Sequence, residues 1–229
     1  MSVSQALPGP HRREMDPYRI GHRHGGSGGG HGHPTGHGEG GPAPRNVVVA
    51  YGFWIFILSD IVMFSAFFAA HAVLQVATAG GPSATVLFDP SHVAWETACL
   101  LLSSFTCGLS AVATRVRSLL WTEVFLLITG LLGAAFLLLE AQEFASLVAR
   151  GASPERSAFL SSFFAVVGCH GCHVTAGLLW LGTMMAQVYV KGFRPNVLRR
   201  LLCFNLFWHA LDIIWVALFT IVYLVGLGR

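Results

Sequence analysis

The sequence predicts an all-α integral membrane protein: a bundle of five transmembrane helices behind a disordered N-terminal tail. Of the 229 residues, 54% are hydrophobic and 11% are charged, with a mean hydropathy of +0.61. A typical soluble domain is about 25% charged. The apolar residues also form five runs, each reaching the roughly 20 residues that a helix needs to cross a bilayer. Composition and run length together therefore indicate a membrane-spanning bundle.

The tail, residues 1–45, differs in composition from the rest of the chain. It is rich in glycine and polar residues, as in H-G-H-P-T-G-H-G-E-G-G-P. Such a segment has too few apolar side chains to form a core, so we expect it to be disordered. Its histidines could bind a transition metal loosely, but a solvated tail is the simpler interpretation. They are His11, His22, His24, His31, His33 and His37.

The transmembrane domain, residues 46–229, should contain the five helices. Their predicted ranges are about 47–76, 92–114, 119–148, 157–189 and 201–227. Before the fourth helix, R-G-A-S-P-E-R contains turn residues and a helix start, with Ser153 predicted as the N-cap and Pro154 behind it. Small residues that allow helices to approach closely recur at short intervals. They are Gly130, Gly133, Gly168, Gly171 and Gly177.

Basic residues indicate the orientation, because cytoplasmic segments carry an excess of lysine and arginine. The segments on the amino-terminal side hold Arg12, Arg13, Arg19, Arg23, Arg45, Arg115, Arg117, Lys191, Arg194, Arg199 and Arg200. The opposite side holds Arg150, Arg156 and Arg229. We therefore expect a cytoplasmic N-terminus and a periplasmic C-terminus. Aromatic residues that fit the interfacial belts are Tyr51, Trp54, Trp121, Tyr189 and Tyr223.

Ionisable residues lie in or near every apolar run, where they are costly and usually face other helices. The predicted intramembrane polar network consists of Asp60, Glu96, Glu140, Glu143, His170, His173, His209 and Asp212. His71 lies in the first run as well. Three pairs within the network have i,i+3 spacing, so the members of each pair share a helix face. We expect the central pair, His170 and His173, to face other helices near residues of the other two pairs.

Three chemical interpretations of this network are open: hydrogen bonds that fix helix packing, a proton or substrate route, and a metal site. Carboxylates and histidines from several helices do build di-iron centres in bundles. The Glu-x-x-His signature of such centres is absent from the sequence, which disfavours a membrane di-metal enzyme. Packing hydrogen bonds are the simplest of the three interpretations, and under that interpretation the chain would hold no catalytic residue, cofactor or metal. A role in nucleic-acid binding is also disfavoured, since no basic stretch carries interleaved aromatic residues.

The stretch Cys169-His170-Gly171-Cys172-His173 matches C-x-x-C-H, the attachment motif of c-type haem. It lies near the middle of an apolar run, where covalent attachment to an exposed haem is not expected. The cysteines of the chain all lie in apolar segments, and we interpret them as small packing residues. They are Cys99, Cys107, Cys169, Cys172 and Cys203.

Five stretches carry a resemblance to a known family. They are Y-G-F-W-I-F-I-L-S-D-I-V-M-F-S at 51–65, T-A-G-G-P at 78–82, E-T-A-C-L-L-L-S-S at 96–104, the segment at 153–180 with H-G-C-H-V, and the segment at 207–224 with W-H-A-L-D-I-I-W. With these, the chain resembles subunit III of the haem–copper respiratory oxidases. Five helices and T-A-G-G-P are closest to the cytochrome o (bo-type) ubiquinol oxidase branch.

The resemblance implies a non-redox core subunit of a proton-pumping terminal oxidase in the bacterial cytoplasmic membrane. Haems and copper would lie in subunit I, which reduces dioxygen to water. Subunits I, II and IV and phospholipid would be the partners, and the chain would support assembly, stability and proton uptake by subunit I. Asp60 matches the position of the family's intramembrane acid. The alternatives are subunit III of a cytochrome c oxidase, a nitric-oxide-reductase-associated homologue, and the di-metal enzyme.

Overall fold

A computed structural model describes residues 45–75, 77 and 90–224 of the chain. These residues form α1 (Arg45–Leu74), α2 (Pro90–Arg115), α3 (Leu119–Ala149), α4 (Ala158–Lys191) and α5 (Pro195–Leu218), and α5 continues into a π-helical segment, Phe219–Leu224. All five helices are long and apolar enough to cross a membrane, which confirms the predicted fold class. Residues 1–44 of the predicted tail, the T-A-G-G-P segment and Arg229 lie outside the described residues, and Arg45, predicted as the end of the tail, begins α1.

The last helix begins earlier than its sequence pattern predicts. The apolar run suggested a start near residue 201, but α5 begins at Pro195. Proline suits the first turn of a helix because the amide N–H that it lacks would have no partner there anyway. Arg199 and Arg200 therefore lie on the helix and not in the loop. The charged side chains interrupted the apolar run without interrupting the helix.

The predicted N-cap of α4 was wrong. Ser157, not Ser153, caps the helix, and its hydroxyl accepts a hydrogen bond from the Leu160 amide at 3.2 Å. Ser153 instead closes a turn, in which its carbonyl accepts from the Arg156 amide at 3.1 Å. Both serines precede residues that could begin a helix, and only the geometry of the turn decides which serine caps it. At the other end of α4, Gly192 has a positive φ of 62° and donates its amide to Val188.

The helices pack in a network in which α4 contacts α1, α3 and α5, and α2 contacts α3 and α5. The indole of Trp208 on α5 fills the centre of this network and is 1% exposed. Gly133 of α3 and Gly177 of α4 lie against it, so that a Cβ added at either glycine would lie 2.9 Å from an indole carbon. Trp208 Nε1 donates to Ser103 Oγ at 3.0 Å, and Ser103 Oγ donates to the Thr129 carbonyl at 3.0 Å. Two of the predicted packing glycines therefore make room for one tryptophan.

A candidate intramembrane polar site

The predicted polar residues occupy three places in the bundle. The first is a carboxylate cluster between α2 and α3, formed by Glu96, Glu140 and Glu143, which interact electrostatically with one another. Glu96 is completely buried, Glu140 is 4% exposed and Glu143 is 8% exposed. Such carboxylates are costly at membrane depth unless they are paired, wet or neutral. The clustering of three of them is the most unusual electrostatic feature of the described residues.

Two further side chains contact the carboxylate cluster. His92, one turn before Glu96 on α2, places Nδ1 3.4 Å from Glu96 Oε1. Tyr223, at the end of the π-helical segment, donates its hydroxyl to Glu143 Oε2 at 3.1 Å. Within the described part of the chain, His92, Glu96 and Glu143 are the one group of three metal-ligating side chains that come together, with ligand atoms within 4.8 Å of one another.

The second place is the contact between α1 and α4, where Asp60, His170 and His173 lie. His170 is completely buried, and neither ring nitrogen has a hydrogen-bond partner among the residues that the structure describes. Half-buried His173 uses Nδ1 to bond the Cys169 carbonyl at 2.7 Å. Half-buried Asp60 interacts electrostatically with Cys169, and Phe64 on the same face of α1 packs on both histidine rings.

Aromatic rings enclose His170. Its ring centroid lies 6.3 Å from that of Phe64, 5.8 Å from Phe136 and 5.2 Å from Trp215. These rings come from α1, α3 and α5, so three helices besides α4 contribute to the burial of this imidazole. Glu140 of the carboxylate cluster also lies close to α4 at this level. A Cβ added at Gly171, the residue after His170, would lie 2.7 Å from Glu140 Oε1.

The third place is the contact between α2 and α5, where His209 and Asp212 meet Ser104. Ser104 Oγ and His209 Nδ1 are 2.8 Å apart, and Asp212 interacts with both residues. The order of these contacts differs from that of a nucleophilic triad, in which the histidine stands between serine and carboxylate. We interpret this group as an interhelical packing contact, separate from His170 and His173.

Sequence reasoning missed several participants. It named His71 only as an ionisable residue, but His71 is 1% exposed and bonds Ser162 of α4 through Nδ1 at 2.9 Å. It missed His92 because that residue lies at the edge of an apolar run. It placed Tyr223 in an interfacial belt, which was wrong, because Tyr223 is 1% exposed and contacts Glu143. The other four aromatic residues of the predicted belts are exposed: Tyr51, Trp54, Trp121 and Tyr189.

The fold and these sites define a polytopic membrane protein with several ionisable residues between its helices. Comparison with known proteins identifies the family. A sequence profile described as cytochrome c oxidase subunit III matches residues 37–227. The chain belongs to the cytochrome c oxidase subunit III family, which confirms the resemblance of the sequence motifs.

Three relatives illustrate the family. Cytochrome bo(3) ubiquinol oxidase subunit 3 of Pseudomonas aeruginosa is 47% identical over 92% of this chain and 94% of that protein. Quinol oxidase subunit 3 of Bacillus spizizenii is 44% identical, over 77% of this chain and 87% of that protein. A probable quinol oxidase subunit 3 of Staphylococcus aureus is 36% identical, over 77% and 88%.

Proposed function

We propose that this chain is subunit III of a proton-pumping ubiquinol oxidase that reduces dioxygen to water. The observation that carries the proposal is the 47% identity, over 92% of this chain, to a protein named cytochrome bo(3) ubiquinol oxidase subunit 3. Haems and copper belong to the partner subunit I, where they supply the redox chemistry.

The test is purification of the tagged full-length chain from its own membranes under mild detergent. We expect subunits I, II and IV to copurify, with haem and copper, and the complex to oxidise ubiquinol. Copurification with a complex that oxidises cytochrome c and not quinol would favour the cytochrome c oxidase alternative. Purification without haem, copper or partner subunits would contradict the proposal.

The proposed orientation has a cytoplasmic N-terminus and a periplasmic C-terminus. Reporter fusions at each end test that orientation.

Within the complex, we propose that the chain supports assembly and stability and sustains proton uptake by subunit I. The group that we assign to proton uptake is Asp60, which lies half-buried on α1 beside α4. Asp60→Asn keeps the size and hydrogen-bonding capacity of the side chain, so the complex should still assemble. We expect a lower proton-to-electron ratio or faster inactivation during turnover. The matched control is Asp212→Asn, which changes a half-buried aspartate at the α2–α5 contact.

An unchanged proton-to-electron ratio and an unchanged turnover lifetime in Asp60→Asn would leave Asp60 with a packing role only. That result would not contradict the proposed role of the chain in assembly. It is tested separately, by following the amount of assembled complex in membranes that lack this chain.

We also propose phospholipid as a partner of this chain. A cavity of about 500 Å³ between the end of α2 and the start of α5 is lined by Arg115, Arg117 and Arg199, with apolar residues such as Leu198 and Leu202. Basic pockets between transmembrane helices on the cytoplasmic side bind anionic headgroups. Replacing Arg117 and Arg199 by glutamine should reduce copurifying anionic lipid, whereas Arg156→Gln should not. Equal lipid content in both variants would contradict this assignment.

A further inference from the structure

We propose that His92, Glu96 and Glu143 bind a divalent metal ion between α2 and α3, and that zinc is the ion that suits them. The group combines one imidazole nitrogen with carboxylate oxygens from two helices. Zinc is commonly bound by histidine, aspartate and glutamate, at about 2.0–2.2 Å.

The geometry of the group is close to what tetrahedral zinc requires. Ligand atoms bound to zinc at these lengths lie about 3.3 Å apart. His92 Nδ1 and Glu96 Oε1 are 3.4 Å apart, yet neither atom has a hydrogen-bond partner. The ligand atoms of all three residues lie within 4.8 Å of one another, so small side-chain rotations bring Glu143 to the same centre.

An independent observation points to a ligand at this position. Glu96 is completely buried, and neither of its carboxylate oxygens has a hydrogen-bond partner among the described residues. Burying a carboxylate without a partner is strongly unfavourable. Its nearest charged neighbours include Glu140 and Glu143, which add repulsion. A divalent cation offsets the charge of two carboxylates at once, whereas His92 alone can offset only one.

The surroundings of the group are those of a metal ligand shell. Tyr223 donates to Glu143 Oε2 at 3.1 Å and so restrains that carboxylate close to Glu96. Hydrogen bonds of this kind to ligating carboxylates orient them for the metal. His92 is 33% exposed and stands at the start of α2, so the group lies near a helix end and not at the centre of the bundle.

The experiment uses the full-length chain, purified from membranes with the subunits that copurify. After loading with Zn²⁺ and desalting, zinc is measured by mass spectrometry for the wild type, His92→Gln and Glu96→Gln. We expect each variant to hold about one zinc less per chain than the wild type. Since all proteins carry the same histidine-rich tail, zinc bound there cancels in the comparison. Asp212→Asn is the matched control and should retain the wild-type content.

The ligand set is tested by zinc X-ray absorption, taken as the difference between the wild type and His92→Gln. We expect the lost signal to be that of one nitrogen and at least two oxygens at about 2.0–2.2 Å. Equal zinc content in the wild type and both variants, or a lost signal without a histidine contribution, would overturn the proposal and leave a neutral carboxyl cluster. If Glu96→Gln does not fold, the zinc content of His92→Gln alone decides the question. The His92 side chain is partly exposed, so its replacement should not prevent folding. Neither measurement depends on quinol oxidation, so this proposal and the proposed function fail separately.

Discussion

The close contact between Gly177 and Trp208 makes a sharp prediction for Gly177→Ala. A Cβ at this position would lie 2.9 Å from Trp208 Cζ3 and 3.2 Å from Phe207 Cε1. Carbon atoms in ordinary contact are about 3.5–4.0 Å apart, so the indole or the helix must shift by about 0.6 Å or more. The indole cannot shift freely, since it is buried and its Nε1 is bonded to Ser103.

The expected magnitude follows from two opposing effects. Overpacking a close-packed core costs about 1–3 kcal/mol, while replacing glycine by alanine in a helix contributes about 0.5–1 kcal/mol of stability. The net expectation is a loss of roughly 0.5–2 kcal/mol in the free energy of unfolding. For a chain of this size that corresponds to about 2–4 °C in Tm for each kcal/mol.

The assay is thermal unfolding of the purified chain or complex in detergent, with Gly182→Ala as the matched control. Gly182 lies on the same helix, and an added Cβ there would meet nothing within 4 Å. We expect Gly182→Ala to leave Tm unchanged or to raise it. In a Trp208→Leu background the penalty of Gly177→Ala should shrink, because the closest clash is gone and only the Phe207 contact remains. Equal Tm values for Gly177→Ala and Gly182→Ala in the wild-type background would refute the reasoning.

Three further predictions concern the start of a helix, the C-x-x-C-H motif and the tail. Ser157→Ala should lower the free energy of unfolding by about 1 kcal/mol, because it removes a capping hydrogen bond. Ser118→Ala, at a cap with no side-chain hydrogen bond, should change it little, and equal Tm values for the two variants would contradict this. A haem-peroxidase stain on a denaturing gel should be negative at the mass of this chain, since Cys169 and Cys172 lie inside α4, and a positive band would overturn that. Deleting residues 1–44 should leave assembly of the complex intact, as judged by native electrophoresis, and loss of the complex would show that the segment is required.

Family membership and fold class could both be read from the sequence because they depend on local features. A run of about 20 apolar residues commits a segment to a spanning helix, since only a helix satisfies its own backbone in lipid. Motifs such as H-G-C-H-V and W-H-A-L-D-I-I-W are contiguous and need no knowledge of packing. The i,i+3 spacing also indicated which side chains share a helix face. Helix ends were harder, as Pro195 and Ser157 show, because they depend on turn geometry.

The partners of the polar residues were decided by the tertiary structure. The sequence grouped His170 and His173 with His209 and Asp212, but the fold turns the latter two toward Ser104 on α2. It also brings His92 of α2 and Tyr223 of the π-helical segment, which are far apart in the sequence, to the same carboxylate cluster. Helical periodicity fixes which face of a helix a residue occupies, but not which neighbour that face meets. That choice depends on how the helices fit together, and at the centre of this bundle it depends on one indole between two glycines.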